Sequence, residues 1–290
     1  LFRRLNKDDF INALTELYEM TPEDRGELGM AGRAWTEDRF SFDKFIQTWD
    51  DLFMSIYEEK GSWEDRKGYE SYEVKGPVLS RSGYGEQARC ILKALRSRED
   101  LFDIHLVNIP WGRTGQQSEV TEETNYIREA LHRTAIHIQQ NNNQPAFDIS
   151  IQVTIPNEFE AIAPINIGYT AGIETTKVAP EWIAKANEAV NKVITVSEHG
   201  KKVFEQTKYD LRDQAGNEHK GWGLQVPVES INYPVRVSEP NEINIDFKTS
   251  KNFITISQWG ARKNLENTIK WFVEKFKDDP DVGLVVKTNT

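Results

Sequence analysis

The chain has 290 residues, 38% of them hydrophobic, which is enough for one large domain or two ordinary ones. A formal charge of -10 and an isoelectric point near 5.2 leave no broad basic field, so wrapping of a nucleic-acid backbone is excluded as the main activity. A single cysteine excludes an intrachain disulfide framework, and Cys90, spaced with Ala88, Ile91 and Leu92, reads as a small core residue of a helix. The apolar runs, such as residues 282–286, are too short for a membrane span, and no basic-then-apolar leader opens the sequence. A cytoplasmic location, peripheral to a membrane at most, is the expectation. Because the sequence opens on Leu1 rather than Met and stops at Thr290 as a strand finishes, it is read as a fragment.

Helices are predicted first. Phe10, Leu14 and Leu17 recur at helical spacing, and Thr21-Pro22-Glu23-Asp24 combines a cap, a helix-compatible proline and two first-turn acids. Ser41 is a good N-cap for a helix whose stripe of Phe45, Trp49, Leu52, Phe53 and Ile56 needs a surface to pack against. The polar stretch that follows, anchored only by Trp63, reads as a linker over residues 61–71, with a helical region at 1–60 before it.

From Tyr72 the pattern changes to strands alternating with helices, which predicts an α/β domain with a parallel sheet covered on both faces. Val78-Leu79, then Ser82-Gly83-Tyr84-Gly85, then Ala88, Ile91, Leu92 and Leu95 read as strand, glycine turn and helix. Further strands are expected at residues 104–109, 147–153, 166–168 and 193–196, so that Leu79, Val107, Ile151, Ile167 and Ile194 lie on central strands. Helices are expected at 121–139 and 180–192, and one is capped by Ser197-Glu198. Residues 217–246 carry prolines at 227, 234 and 240 with little periodicity, which reads as loop and interdomain crossing. A second alternation follows: a strand at 253–257, a helix capped by Asn264 with Leu265, Ile269, Phe272 and Phe276 on one face, and a strand at 282–286.

Three segments carry a family likeness. They are Asn166-Ile-Gly-Tyr-Thr-Ala-Gly-Ile-Glu-Thr-Thr, then Pro180-Glu181-Trp182, then Ile194-Thr-Val-Ser-Glu-His-Gly-Lys-Lys-Val-Phe. Together they resemble the later part of the acceptor-side domain of a GT-B glycosyltransferase, best matched to the group-one, retaining enzymes. The strand, Arg262-Lys263-Asn264 turn and amphipathic helix over residues 253–276 are similar to the opening of the donor-side domain of that family. The family often has Gly-Arg at the end of that strand where this chain has Ser257-Gln258, and the paired glutamates of its donor site are not found before Thr290. The helical start, with Thr21-Pro-Glu-Asp-Arg, Gly29, Gly32-Arg33 and Phe40-Ser-Phe, is similar to the tail of such an enzyme. The resemblance therefore implies the tail of one transferase module at 1–60, a Rossmann-like acceptor-side domain at 72–246, and a truncated donor-side domain at 247–290. It also implies transfer of a sugar from a nucleotide-sugar to a glycan or other hydroxyl acceptor, with no separate cofactor.

Transfer from a nucleotide-sugar builds negative charge on a departing diphosphate, so fixed cations are needed. Arg262 and Lys263 stand in a turn before a helix, where backbone N–H groups also favour anions, and Lys287 is a second strand-end cation. Gly83 and Gly85 would let the backbone approach the donor phosphate. Tyr84, Trp111, Tyr169, Thr170, Gly172, Glu174, Thr175, Ser197 and Glu198 fall at the carboxyl edge of the expected sheet, where ligands bind in such folds. Among them Glu174 is assigned the catalytic contact to a sugar hydroxyl, although a helix-capping acid is the alternative for it. For Trp111, stacking on a sugar face and plugging the core both remain open. The histidines show no pair at metal-ligand spacing, so no metal is expected. A serine-nucleophile elbow and a phosphate-binding Walker loop are missing, and Ala88 replaces the third glycine of the dinucleotide fingerprint. Two alternatives stand beside the transferase: a non-catalytic doubly wound binding module and a nicotinamide-dependent oxidoreductase.

Overall fold

In the computed structural model, which describes residues 6–59, 70–142, 147–212, 218–237, 242 and 244–288, helices come first and strands then alternate with helices. The elements are α1 (Lys7–Glu19), α2 (Pro22–Arg39), α3 (Phe42–Glu59), β1 (Glu70–Gly76), α4 (Gly83–Arg96), β2 (Phe102–Asn108), α5 (Glu122–Gln140) and β3 (Ile149–Val153). They continue with β4 (Ile165–Thr170), α6 (Pro180–Ala189), β5 (Lys192–Thr195), α7 (Glu198–Gln206), β6 (Tyr209–Arg212), β7 (Glu218–Trp222) and β8 (Val228–Ser230). Last are β9 (Lys251–Ile256), α8 (Leu265–Phe276) and β10 (Val282–Lys287). The chain divides into two compact units, one over Thr36–Arg236 and the other formed by the two ends, up to Trp35 and from Val237. No described helix is long and apolar enough to cross a membrane.

The central unit is built on a six-stranded sheet of order β2-β1-β3-β4-β5-β8, parallel at every pairing. Side-chain caps set where its helices begin. Ser82 accepts from Gly85 N at 3.1 Å, Ser197 accepts from Gly200 N at 3.1 Å, and Thr121 forms a reciprocal capping box with Thr124. On one face of the sheet lie α3 and α4: Trp49 meets Tyr169 edge-on at 5.2 Å, and Phe53 meets Tyr72 at 5.4 Å. Phe45, Leu52 and Phe53 of α3 are all buried, and each such burial contributes about 1.5–3 kcal/mol. The stripe on α3 therefore finds its surface in the central sheet, not in a separate helical region over 1–60. The second face is covered by α5 and by a second core of Phe159, Ile183, Val193, Val203 and Phe204.

That second face also holds a polar row. His105, Glu73, Ser150 and Asn166 are in register across β2, β1, β3 and β4, and all four are buried. Ser150 donates to Glu73 Oε2 at 2.7 Å, and burial pushes the Glu73 carboxyl above its ordinary range. His105 lies 3.0 Å from Asp103, and burial holds its imidazole below the usual value.

Three expectations are corrected. Leu79 is not on a strand, because β1 ends at Gly76 and Leu79 sits in the turn toward α4. The stretch read as loop over 217–246 contains β7, which pairs antiparallel with β6, and β8, the sixth strand of the central sheet. Three residues of mixed polarity carry no local signal, and β8 exists only through its ladder to β5. Asn264 lies at φ +52° and its side chain accepts from Asn267 Nδ2 at 2.7 Å, not from a backbone N–H of the helix, so it starts α8 as a left-handed residue without capping it. The linker placed at 61–71 falls outside the described residues apart from its last two.

In the second unit β9 and β10 pair in parallel, and α1 packs against α8 through Phe10 on Trp271 at 5.7 Å and Tyr18 on Phe276 at 5.4 Å. Phe253, Phe272 and Phe276 fill the interior. Ile254 and Ile256, on the outer face of β9, are 64% and 66% exposed.

Candidate functional site

The strand order places a reversal between β1 and β3. From β1 the chain goes to β2 on one side and returns to β3 on the other, and such a switch opens a crevice at the carboxyl ends of the two strands. The turn from β1 into α4 forms one wall. It is wired from within by Arg89, almost fully buried, which donates to Val78 O and Ser80 O at 2.9 Å each and to Glu86 at 2.9 Å. Gly85 seats α4 against this turn. A Cβ there would stand 2.1 Å from Ser80 O and 2.9 Å from Pro77 O. Its bareness thus serves the packing of helix on turn. Around Gly83 there is open space.

Tyr84 reaches from α4 across to β4. Its phenol lies 3.0 Å from Thr170 Oγ1, donates to Ala171 O at 3.0 Å and accepts from Ala171 N at 3.0 Å. Burial raises the phenol above its ordinary range, against the pull of its hydrogen bonds to Thr170 and Ala171. Trp111, half-buried, packs on the Tyr84 ring with centroids 4.3 Å apart. It is therefore neither wholly a core plug nor a bare shelf.

Beyond Tyr84 is a pocket of about 210 Å³ lined by residues 170–174, Thr195, Val196, Ser197 and Gly200. Gly172 makes the turn after β4 at φ +76°, a conformation most side chains resist. Thr170, Gly172, Glu174 and Ser197 are thus gathered in one place. Glu174 is exposed at the pocket rim, and His199 Nε2 lies 3.1 Å from Thr175 O in the same loop.

One assignment changes. Tyr169 is fully buried against Trp49 and donates to Ile231 O at 3.3 Å, so its place is the core and not a sugar contact. The Ser197 hydroxyl caps α7, the Glu198 carboxylate accepts from Ser230, and the Thr175 hydroxyl donates to Lys177 O at 2.6 Å. Each of those three polar groups is already engaged by its own surroundings. Arg262 and Lys263 stand exposed in the turn before α8, and Lys287 stands exposed at the end of β10, all in the second unit.

Sequence reasoning missed the loop after β3. Pro156 and Phe159 are buried there, and Phe159 fits over Gly168, where a Cβ would come within 2.4 Å of its ring. Gln152 donates to Glu160 O and accepts from Glu160 N at 2.8 Å, which fastens the loop to its own strand. A proline just past a strand, followed by an acid and an aromatic, is the signal that could have flagged Pro156-Asn157-Glu158-Phe159. Among the described residues no group of three His, Cys, Asp or Glu is arranged to hold a metal ion.

Fold and site together define an α/β protein with a doubly wound parallel sheet and a polar, glycine-shaped crevice at its carboxyl edge. Compared with known proteins, the chain matches no family model, no curated protein and no solved structure.

Proposed function

We propose that this chain carries the acceptor side, and the beginning of the donor side, of a retaining glycosyltransferase that uses a nucleotide-activated sugar. The observation that supports this reading best is the gathering of Thr170, Gly172 and Glu174 around one open pocket at the carboxyl edge of an all-parallel sheet, with Tyr84 hydrogen-bonded to the Thr170 of its lining. In this reading Glu174 accepts a hydrogen bond from the acceptor hydroxyl that attacks the sugar. Tyr84 and Trp111 shape the wall against which the acceptor rests. Arg262 and Lys263, with the α8 N-terminus behind them, stabilise the negative charge on the departing diphosphate, and Lys287 adds a further cation. Arg supplies a fork for two phosphate oxygens while Lys supplies a compact charge, so the two are not interchangeable.

The test is titration of the full 290-residue chain with UDP-glucose, GDP-mannose and the bare diphosphates UDP and GDP, followed by calorimetry. Saturable binding of one nucleotide is expected, weakened in Lys263→Ala. In a polypeptide that completes the donor side, the same substitution is expected to reduce transfer by about a hundredfold or more, the usual loss for one preorganised donor. Wild-type turnover in that variant would remove Lys263 from the clamp, and failure of every nucleotide to bind would leave the non-catalytic binding module.

A further inference from the structure

In the second unit one edge of β9 is paired and the other is open. Lys251 N donates to Asp281 O and Ser257 N donates to Lys287 O, at 3.1 Å each, so the odd-numbered residues of β9 face β10. Alternate peptide groups of a strand point to opposite sides, so those of Asn252, Ile254 and Ile256 point away from β10. No second strand adjoins β9, and no described residue hydrogen-bonds to these outward groups. A groove of about 400 Å³ runs along this edge, within the range of ligand-sized clefts. Ser250 and the first four residues of β9 line it and no residue of β10 does, which places it beside the strand and not on a face of the sheet. Leu17 and Tyr18 of α1 and Arg25 of α2 complete the lining.

Both charged residues of the groove are cations with donors to spare. Arg25 is seated by Nη1, which donates to Met20 O at 2.6 Å and to Leu17 O at 3.3 Å, and no described residue takes its Nε or Nη2. Lys251 Nζ lies 3.9 Å from the Tyr18 ring centroid, a contact that leaves its N–H groups available. The nearby carboxylates are bound by neutral donors, Asp279 by the Tyr18 phenol at 2.8 Å and Asp281 by Ser250 N at 2.7 Å. A row of unpaired peptide groups flanked by exposed Ile254 and Ile256 is a template for one more strand. We propose that the open edge of β9 docks an extended peptide of a partner protein, antiparallel to β9, with β-branched residues opposite Ile254 and Ile256 and an acidic residue facing Lys251 and Arg25. Antiparallel pairing is the more stable per residue, and the two cations set which end of the peptide carries the acid. The groove belongs to the second unit alone, so the inference does not depend on the transferase reading.

The probe is the hexapeptide Val-Thr-Val-Thr-Val-Glu, fluorescein-labelled at its amino end and amidated at the other, titrated with the full 290-residue chain and read by anisotropy. In this order the valines pair with Ile256, Ile254 and Asn252, and the glutamate comes opposite Lys251. Saturable binding is expected. Lysine in place of the peptide's glutamate, or Arg25→Gln in the protein, should each weaken it by about tenfold, the size of one lost charge-assisted hydrogen bond. N-methylation of the valines removes the N–H groups that face β9 and should abolish binding, whereas N-methylation of the threonines removes those that face away and should leave it intact. Ile254→Pro removes an outward N–H without touching the ladder to β10, and should abolish binding with the circular dichroism unchanged. The N-methylated pair is read on wild-type protein and needs no variant to fold. Absence of saturable binding overturns the proposal, and equal binding of the two N-methylated peptides overturns strand pairing in favour of apolar adsorption. A wild-type chain that sediments as a dimer and becomes monomeric in Ile254→Pro would give the edge to a second copy instead.

Discussion

Replacing Gly85 with alanine tests the geometry on which the whole site wall depends. The new Cβ would sit 2.1 Å from Ser80 O, while ordinary contact begins at 3.4 Å, so helix or turn must move by more than an ångström. Neither can do so cheaply. Ser80 O is a backbone atom that also accepts from buried Arg89, and Pro77 O and the Ser80 carbonyl carbon crowd the same point. Overpacking of this kind costs about 1–3 kcal/mol, and loosening a hydrogen bond from a charged donor adds about 1.5–3 kcal/mol. A loss of about 3 kcal/mol or more is therefore expected. For a unit of this size that lowers the melting temperature by roughly 6–12 °C. Gly83, two residues earlier, is the control: it is the first residue of α4 and nothing lies within 4 Å of its virtual Cβ. Gly83→Ala should gain about 0.4–1 kcal/mol by restricting the unfolded chain. Thermal and urea unfolding followed by circular dichroism compares the two. A Gly85→Ala variant as stable as wild type, or a Gly83→Ala variant that falls by the same amount, would refute the close approach of α4 to the turn.

Glu73→Gln should stabilise the protein near neutral pH. The folded carboxyl has its pKa raised above the ordinary 4.5, so the folded state binds the proton more tightly, and stability is lost as pH rises through the folded value. The variant should therefore gain in urea midpoint at pH 7.5 and gain little at pH 4.5, and an equal gain at both would point away from burial as the cause. Hydrogen exchange should separate the two units. The two-stranded β9–β10 ladder should exchange faster than β1, β3 and β4, since two strands with one exposed apolar face offer little independent stability. Equal protection of both ladders would contradict this.

Much of the central unit was legible in the sequence because its signals are local. The spacing of Ala88, Ile91, Leu92 and Leu95 declares α4, and Ser197 and Thr121 announce helix starts within four residues of the groups they cap. The strand-helix alternation was enough to predict a parallel α/β sheet, and hence that Tyr84, Thr170 and Gly172 would fall at its carboxyl edge. What the local pattern could not contain is which surface each element meets. The stripe on α3 shows that a partner is needed, but only the folded chain shows that the partner is the Tyr72 and Tyr169 face of the central sheet. The tyrosine at 169 reads as a loop aromatic until β4 buries it. Strand β8 has no periodicity of its own and is created by its hydrogen bonds to β5, from a segment more than thirty residues away. Glu73, His105, Ser150 and Asn166 are scattered over almost a hundred positions and become one polar row only through strand register. The pocket beyond β4 likewise joins residues 170–174 to Thr195, Ser197 and Gly200, because a site is a convergence of side chains in space and spacing along the chain records only the residues next door.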